Sequence, residues 1–328
     1  MKPKGATFVP ALVEHDPMPD GSRDATMIQG PLLFGFDGGG TGSRGRLATR
    51  DGRVLGEGAA GPANLRFGVA ESFSALHAVL GRCLAAAGLP SAQALPIAGA
   101  LGFAGASEPA LRAEAEKQPY PFAVCVVTSD AEIACLGAHG GEDGGVVVAG
   151  TGTIAYALVQ GRVLRFGGWG FPVSDEGSGA WIGLEALRQS LRAHDGLVAR
   201  EALHEAVLAR FQGDPRAAVA WMMDAKPRDY ATLAPLVVER ATAGDQAADV
   251  LMTEAADHVA ALVRRLVMEG TNRVALLGGL APLLAPRLPS DLRFVLTPAR
   301  GDAVDGALIR ARSLADASAK APRFAQAP

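Results

Sequence analysis

The apolar and polar positions of this chain follow two different periods, and the order in which they switch outlines its architecture. "LLFGFD" (32–37) is a short apolar run closed by a glycine turn, the pattern of a buried strand. Beyond the turn, positions 44–50 and 53–58 read as two more strands, broken at Asp51-Gly52. Three- and four-residue steps then take over at Phe73, Leu76, Val79, Leu80 and Leu84, which predicts a helix over 69–88. The strand "IAGALGFAG" (97–105) leads to a helix opening at Ser107, with Ser107 as N-cap and Pro109 in the first turn. "FAVCVVTSD" (122–130) reads as a strand running into a helix from Ala131 to about Ala138.

"HGGEDGG" (139–145) interrupts the chain, and the same order restarts. A strand "VVVAG" meets a second glycine turn, "GTGT" (150–153), followed by short strands at 154–159 and 162–166. Helices are predicted over about 178–192, 197–211 and 246–268, strands over 273–279 and 292–298, and a closing helix from Asp302 to about Arg312. Strand, glycine turn, strand, strand therefore occurs twice, with Gly38 aligned to Gly150, which points to an internal duplication. Residues 1–30 carry prolines and charges without a sustained apolar core and are expected to be a poorly ordered extension, and the tail after about Ser313 is expected to fray.

Composition narrows the class. With 328 residues, 49% apolar and 20% charged, the chain has enough apolar residues for the cores of two domains. A formal net charge of −3 and scattered arginines give no basic face for nucleic acid or anionic lipid. No apolar run approaches the ~20 residues needed to cross a bilayer. Cys83, Cys125 and Cys135 form no CxxC pair, and the six histidines lack metal-ligand spacing. A cytoplasmic protein is the expectation.

The candidate chemistry lies in the turns. In "DGGGTGS", glycines let backbone amides approach a phosphate, and Thr41 and Ser43 add hydroxyls. Asp37 at the strand end suits a hydrated Mg²⁺, which prefers oxygen ligands. The alternative is a plain glycine hairpin. A strand follows the turn, so neither the Walker nor the dinucleotide pattern applies. The second turn at Gly150–Thr153 repeats the device, and two such turns facing across a cleft would clamp a polyphosphate. Asp130 ends a strand and would face the crevice as a general base, or else cap the helix behind it. "FGGWGFPVSDEGSGAWIG" (166–183) offers Trp169 as a face for sugar C–H groups, with Asp175 and Glu176 for hydroxyls; the bland alternative is a capping loop. Asn64 in "GPAN" can donate and accept at neighbouring hydroxyls, or simply serve its turn.

Taken together, "DGGGTGSRGRL", "GPAN", "VTSDAEIACLGA", "VVVAGTGTIAYAL", "GGWGFPVSDEGSGAWIG" and "LLGGLA" resemble, in order, the N-acetylglucosamine kinase group of the BadF/BadG/BcrA/BcrD ATPase family, within the actin/hexokinase/Hsp70 superfamily. The likeness runs from about Leu32 to Arg312. It implies an α/β fold of two ribonuclease-H-like (actin-like ATPase) domains flanking a nucleotide cleft, with ATP and Mg²⁺ between them. The implied division is an extension over 1–30, a first domain over 31–144, a second over 145–316 whose last helix packs back on the first, and a tail over 317–328. By resemblance, Asp37 is the magnesium-associated acid, Gly38, Gly39, Gly40, Thr41 and Ser43 the first phosphate turn, and Gly150, Thr151, Gly152 and Thr153 the second. Asp130 is the base facing a sugar 6-hydroxyl. Asn64, Thr151, Trp169, Gly170 and Asp175 belong to the sugar site, and Gly278 and Gly279 to the adenosine side.

The resemblance therefore implies an ATP-dependent kinase of N-acetylglucosamine or glucosamine, and a homodimer is one assembly it allows. One position departs: Ile154 stands where animal N-acetylglucosamine kinases carry an asparagine near the sugar, so glucosamine or a related hexosamine stays open. Two alternatives accompany this reading. An activator ATPase of acyl-CoA dehydratases would need a cysteine-held iron–sulfur cluster, and a non-catalytic sugar-binding regulator would need neither Asp37 nor Asp130.

Overall fold

The protein is described here from a computed structural model covering residues 30–92 and 95–320. Its first sheet has five strands: β1 (Leu32–Gly38), β2 (Ser43–Ala48), β3 (Val54–Ala60), β4 (Ile97–Phe103) and β5 (Val124–Ser129), in the order β3-β2-β1-β4-β5. β1, β2 and β3 are antiparallel, whereas β4 and β5 continue parallel to β1. The second sheet repeats that start with β6 (Gly144–Ala149), β7 (Thr153–Val159), β8 (Arg162–Gly167) and β9 (Val274–Leu277), in the order β8-β7-β6-β9. Here too the first three strands are antiparallel and β9 runs parallel to β6.

Strand alternation explains how each face is covered. On β1, Leu32, Phe34 and Phe36 point to one side and join Leu76, Val79 and Leu80 of α1 (Val69–Ala86). Leu33 points to the other side, where α3 (Asp130–His139) and α11 (Ala303–Lys320) lie. α2 (Pro109–Glu116) flanks the same domain. In the second half, α4 (Gly179–His194) and α9 (Gln246–Met268) cover one face of the sheet together with α5 (Ala202–Ala209), α6 (Pro215–Met222), α7 (Pro227–Ala231), α8 (Ala234–Thr242) and the short α10 (Ala281–Leu284).

α3 is apolar around most of its circumference, as a helix buried on two sides must be. Its Ile133 packs with Leu33 and Ala98 of the first sheet, and its Ala131, Cys135 and Ala138 pack with Val146, Tyr156 and Ala275 of the second. α11 crosses α3 at backbone distance. A Cβ on Gly137 would overlap the Asp302 carbonyl, and one on Gly306 would overlap the Ile133 carbonyl. The helices are close because both crossing residues are glycine.

Several boundaries differ from the sequence expectation. The N-terminal extension lies outside the described residues apart from Gly30. α2 begins at Pro109 behind Glu108, so Ser107 is not its cap. The strand expected at 292–298 is a 3-10 turn over Ser290–Val295, joined to the sheet by one bridge between Leu296 and Val274. Its buried residues, Leu292 and Val295, are spaced by three, and Phe294 between them is exposed, which is a helical and not a strand pattern. α5 is shorter than the expected 197–211, and the three helices between 215 and 242 were missed; each has proline in its first turn. α11 runs on through the segment expected to fray because alanine-rich sequence favours helix and Ala315 is buried against the first sheet.

We expect Gly306→Ala to destabilise the protein, since the α3–α11 crossing must open to admit a methyl group. Overpacking of this kind costs about 1–3 kcal/mol, a fall in Tm on the order of 5 °C by calorimetry. Gly81→Ala is the control: it sits exposed within α1, with nothing within 4 Å of the added methyl, and should gain up to about 1 kcal/mol. Equal effects at the two sites would refute the crossing as the constraint.

Candidate active site

β1 and β6 each deliver a glycine turn at the carboxyl end of the first strand of their sheet. In the first turn the Gly39 amide donates to Gly42 O at 3.0 Å, and in the second the Gly150 amide donates to Gly152 O at 2.9 Å. Gly40 and Thr41 are exposed at the first tip. The Ser43 hydroxyl, expected to be free for phosphate, instead donates to Gly61 O at 2.8 Å from a buried position. That is a correction: the hydroxyl closes its own hairpin. In the second turn, Thr151 and Gly152 are partly exposed, and Thr153 is buried with no partner for its hydroxyl oxygen. Gly278 has φ +91° and is held against Ala149 and Gly150, while Gly279 beside it is open. Of the two glycines expected on the adenosine side, Gly278 therefore sits directly against the second turn. α4 also starts there, with the Gly179 amide donating to Gly150 O at 2.8 Å.

Asp37, at the end of β1 just ahead of the first turn, and Asp130, at the start of α3, lie within charge range of each other. Ser129, not Asp130, caps α3, accepting from the Glu132 amide at 3.1 Å. Asp130 Oδ1 accepts from the Ala131 amide at 2.9 Å, which fixes the carboxyl while leaving Oδ2 available. Burial pushes Asp130 up to about 6; the Asp37 carboxylate adds to the rise, while the Ala131 amide and the Arg165 charge oppose it. Asp37 is also raised, first by burial, against the pull of Arg44. Arg44 Nε donates to Asp37 Oδ2 at 3.1 Å and its Nη1 to Asp302 Oδ2 at 3.1 Å. Arg46 Nη1 and Nη2 reach Asp302 at 2.8 and 2.9 Å. Burial acts to raise Asp302, but hydrogen bonding to Arg46 holds it below the usual carboxylate range. Sequence reading missed Arg44, Arg46 and Asp302; the acid that caps α11, reciprocally bonded with Asp305, was its visible sign.

The sugar-site candidates converge from both halves. Asn64 Oδ1 caps its own turn by accepting from the Arg66 amide at 3.0 Å, so the side-chain amide nitrogen is left to face Gly40. Asp175 adopts a left-handed φ of +69° and places its carboxylate against Gly152. Burial raises Asp175, opposed by the amides of Thr153, Gly170 and Phe171 and by Arg66. Arg66 also stands against Gly170, joining the first half to the loop after β8. Trp169 is 70% exposed, and Arg165 stacks on its ring with Cζ 4.5 Å from the centroid. Ile154 packs beneath Gly168, so hydrocarbon underlies this loop. Arg66 and Arg165 were also missed, because neither lies in a glycine motif.

The donor set suits a nucleotide with Mg²⁺. Asp37 keeps Oδ1 beyond its Arg44 contact, Gly150 and Gly279 leave open backbone, and the Thr153 oxygen lacks a partner. It does not suit a cluster held by thiolates. Burial pushes the Cys83 and Cys135 thiols up to about 12, and their sulfurs donate to Gly45 O and Gly144 O. Among the described residues, no helix is long and apolar enough to cross a membrane.

Two sheets that repeat this order, each with a glycine turn at the end of its first strand, define an actin-like ATPase fold. The chain belongs to the BadF/BadG/BcrA/BcrD ATPase family, whose sequence pattern matches residues 34–286. It is 33% identical over 275 residues to glucosamine kinase GspK of Vibrio cholerae, covering 84% of this chain and 94% of that protein. A solved structure from Chromobacterium violaceum, provisionally described as an N-acetylglucosamine kinase, is 38% identical with a TM-score of 0.80, covering 86% of this chain and 99% of that one. A Porphyromonas gingivalis structure with a similar description is 20% identical, with a TM-score of 0.63 over 86% of this chain and 99% of its own, and supports the fold alone.

The raised Asp130 carries a stability signature. The folded protein holds this proton up to about pH 6, whereas the value for an unperturbed carboxyl is 3.8, so folding stability falls as pH rises through that window. Asp130→Asn removes the loss. Its Tm should exceed that of the wild type by an amount that grows between about pH 4 and 7, with a ceiling of about 3 kcal/mol. A pH-independent difference would contradict the buried-acid assignment.

Proposed function

We infer that this chain transfers the γ-phosphoryl group of ATP to an amino sugar, glucosamine or N-acetylglucosamine, at its 6-hydroxyl. The observation that supports this reading is a buried acid, Asp130, within charge range both of Asp37, just ahead of the first glycine turn, and of Arg165, which stacks on Trp169. The kinship with a glucosamine kinase over most of both chains supports the substrate class. Residues 31–144 and 145–316 form the two halves of the cleft in this reading, and the supply of ATP and the unpaired cysteines suit the cytoplasm.

The chemistry is largely positioning and charge control. Backbone amides at Gly38–Thr41 and Gly150–Thr153 cradle the phosphates, with Gly278 and Gly279 toward the adenosine. Asn64, Thr151, Gly170 and Asp175 hold sugar hydroxyls, and Trp169 covers a sugar face. Asp130 accepts the proton of the 6-hydroxyl as that oxygen bonds to the γ-phosphorus, and the bridging P–O bond breaks to release ADP. Asp37 would hold Mg²⁺, which when bound neutralises phosphate charge. Because Ile154 offers no amide to an acetyl group, free glucosamine is the favoured substrate; the Chromobacterium violaceum relative keeps N-acetylglucosamine as the second reading.

Coupled ADP release with ATP and Mg²⁺ across glucosamine, N-acetylglucosamine, glucose and no sugar tests the reading. Turnover confined to amino sugars is expected, and sugar-independent release would refute it. Asp130→Asn should lower kcat by about 10²–10⁴ while leaving ATP binding nearly intact. In the wild type, kcat/KM should fall tenfold per pH unit below about 6, as the base takes up its proton.

A further inference from the structure

Arg165 has no role in the reading above, yet its side chain is held on several sides. It lies near the end of β8, opposite Tyr156 of β7, just ahead of the sugar loop. Its Nη2 donates to Gly168 O at 2.6 Å, its planar head stacks on Trp169, and its Nε is buried without a partner. Its charge reaches Asp130 and Asp175.

An arginine suits this position because one planar group both stacks on an aromatic ring and carries a permanent charge. Trp169 is mostly exposed, and without a partner on one face its ring would be free to change rotamer. With Arg165 on that face, the opposite face is presented at a fixed angle.

We propose that Arg165 is a positioning residue for the hexose, holding the Trp169 ring as a platform at a fixed angle. The proposal rests on the amino-sugar kinase reading. A strap that merely fastens the loop would contribute to stability alone; this residue also sets sugar affinity.

The test uses Arg165→Met and Arg165→Lys in the full chain, with glucosamine titrated calorimetrically without nucleotide and KM and kcat measured separately. Arg165→Met should weaken glucosamine binding about tenfold and raise KM for glucosamine by a similar factor, with kcat little changed. Arg165→Lys should recover only part of the affinity, since an ammonium keeps the charge but lacks the planar face. Wild-type glucosamine affinity and KM in both variants, even with a lowered Tm, would overturn the proposal. If Arg165→Met does not fold, the glucosamine affinity of Arg165→Lys decides. Calorimetry reads the platform whether or not phosphoryl transfer occurs. Failure of wild-type ADP release would therefore count against the kinase reading, and unchanged glucosamine binding in the variants against Arg165.

Discussion

The architecture depends on one close crossing, that of α3 over α11 at Gly137 and Gly306. α3 packs against both sheets, and α11 lies on the first sheet beside it. The N-termini of the two helices carry Asp130 and Asp302, so the distance between the helix axes sets how these acids stand relative to Asp37. A methyl group at either glycine would separate the helices and shift the acids together. Polar ties follow the same line: Glu132 of α3 reaches Tyr156 of β7 and Arg310 of α11.

That crossing concentrates carboxylates where desolvation is costly, and the fold answers with arginines from two strands, β2 and β8. Arg44 bridges Asp37 and Asp302, Arg46 secures Asp302 and Asp305, and Arg165 faces Asp130. The balance is uneven by design of the site. Asp302 is well compensated and stays ionised, while Asp130 keeps a raised value because only the backbone amides of Ala131 and Asp130 and the Arg165 charge oppose its burial. An acid poised near neutrality, with one oxygen committed to the backbone and the other free, is suited to receive a proton.

Much of this was legible in the sequence because the signals were local. Apolar runs ending in glycine marked β1 and β6, and the duplicated order of elements anticipated the matched sheets. The 3.6-residue period placed α1 and α9 closely. The sequence was least informative where tertiary packing decides. Leu292 to Pro298 has strand-like composition, but it is buried through Leu292 and Val295 only, and so it coils. Ser43 looked like a phosphate donor until Gly61 came alongside it. The roles of Arg44, Arg66 and Arg165 could not be read from the sequence, because they depend on which carboxylates the fold brings to them.

The most direct measurement is two-dimensional ³¹P–¹H NMR of the product formed from ATP and glucosamine. The account predicts phosphorus coupled to the two C6 protons, as expected if the 6-hydroxyl is presented to Asp130 beside the glycine turns. Coupling to the C1 proton, or inorganic phosphate alone, would contradict it.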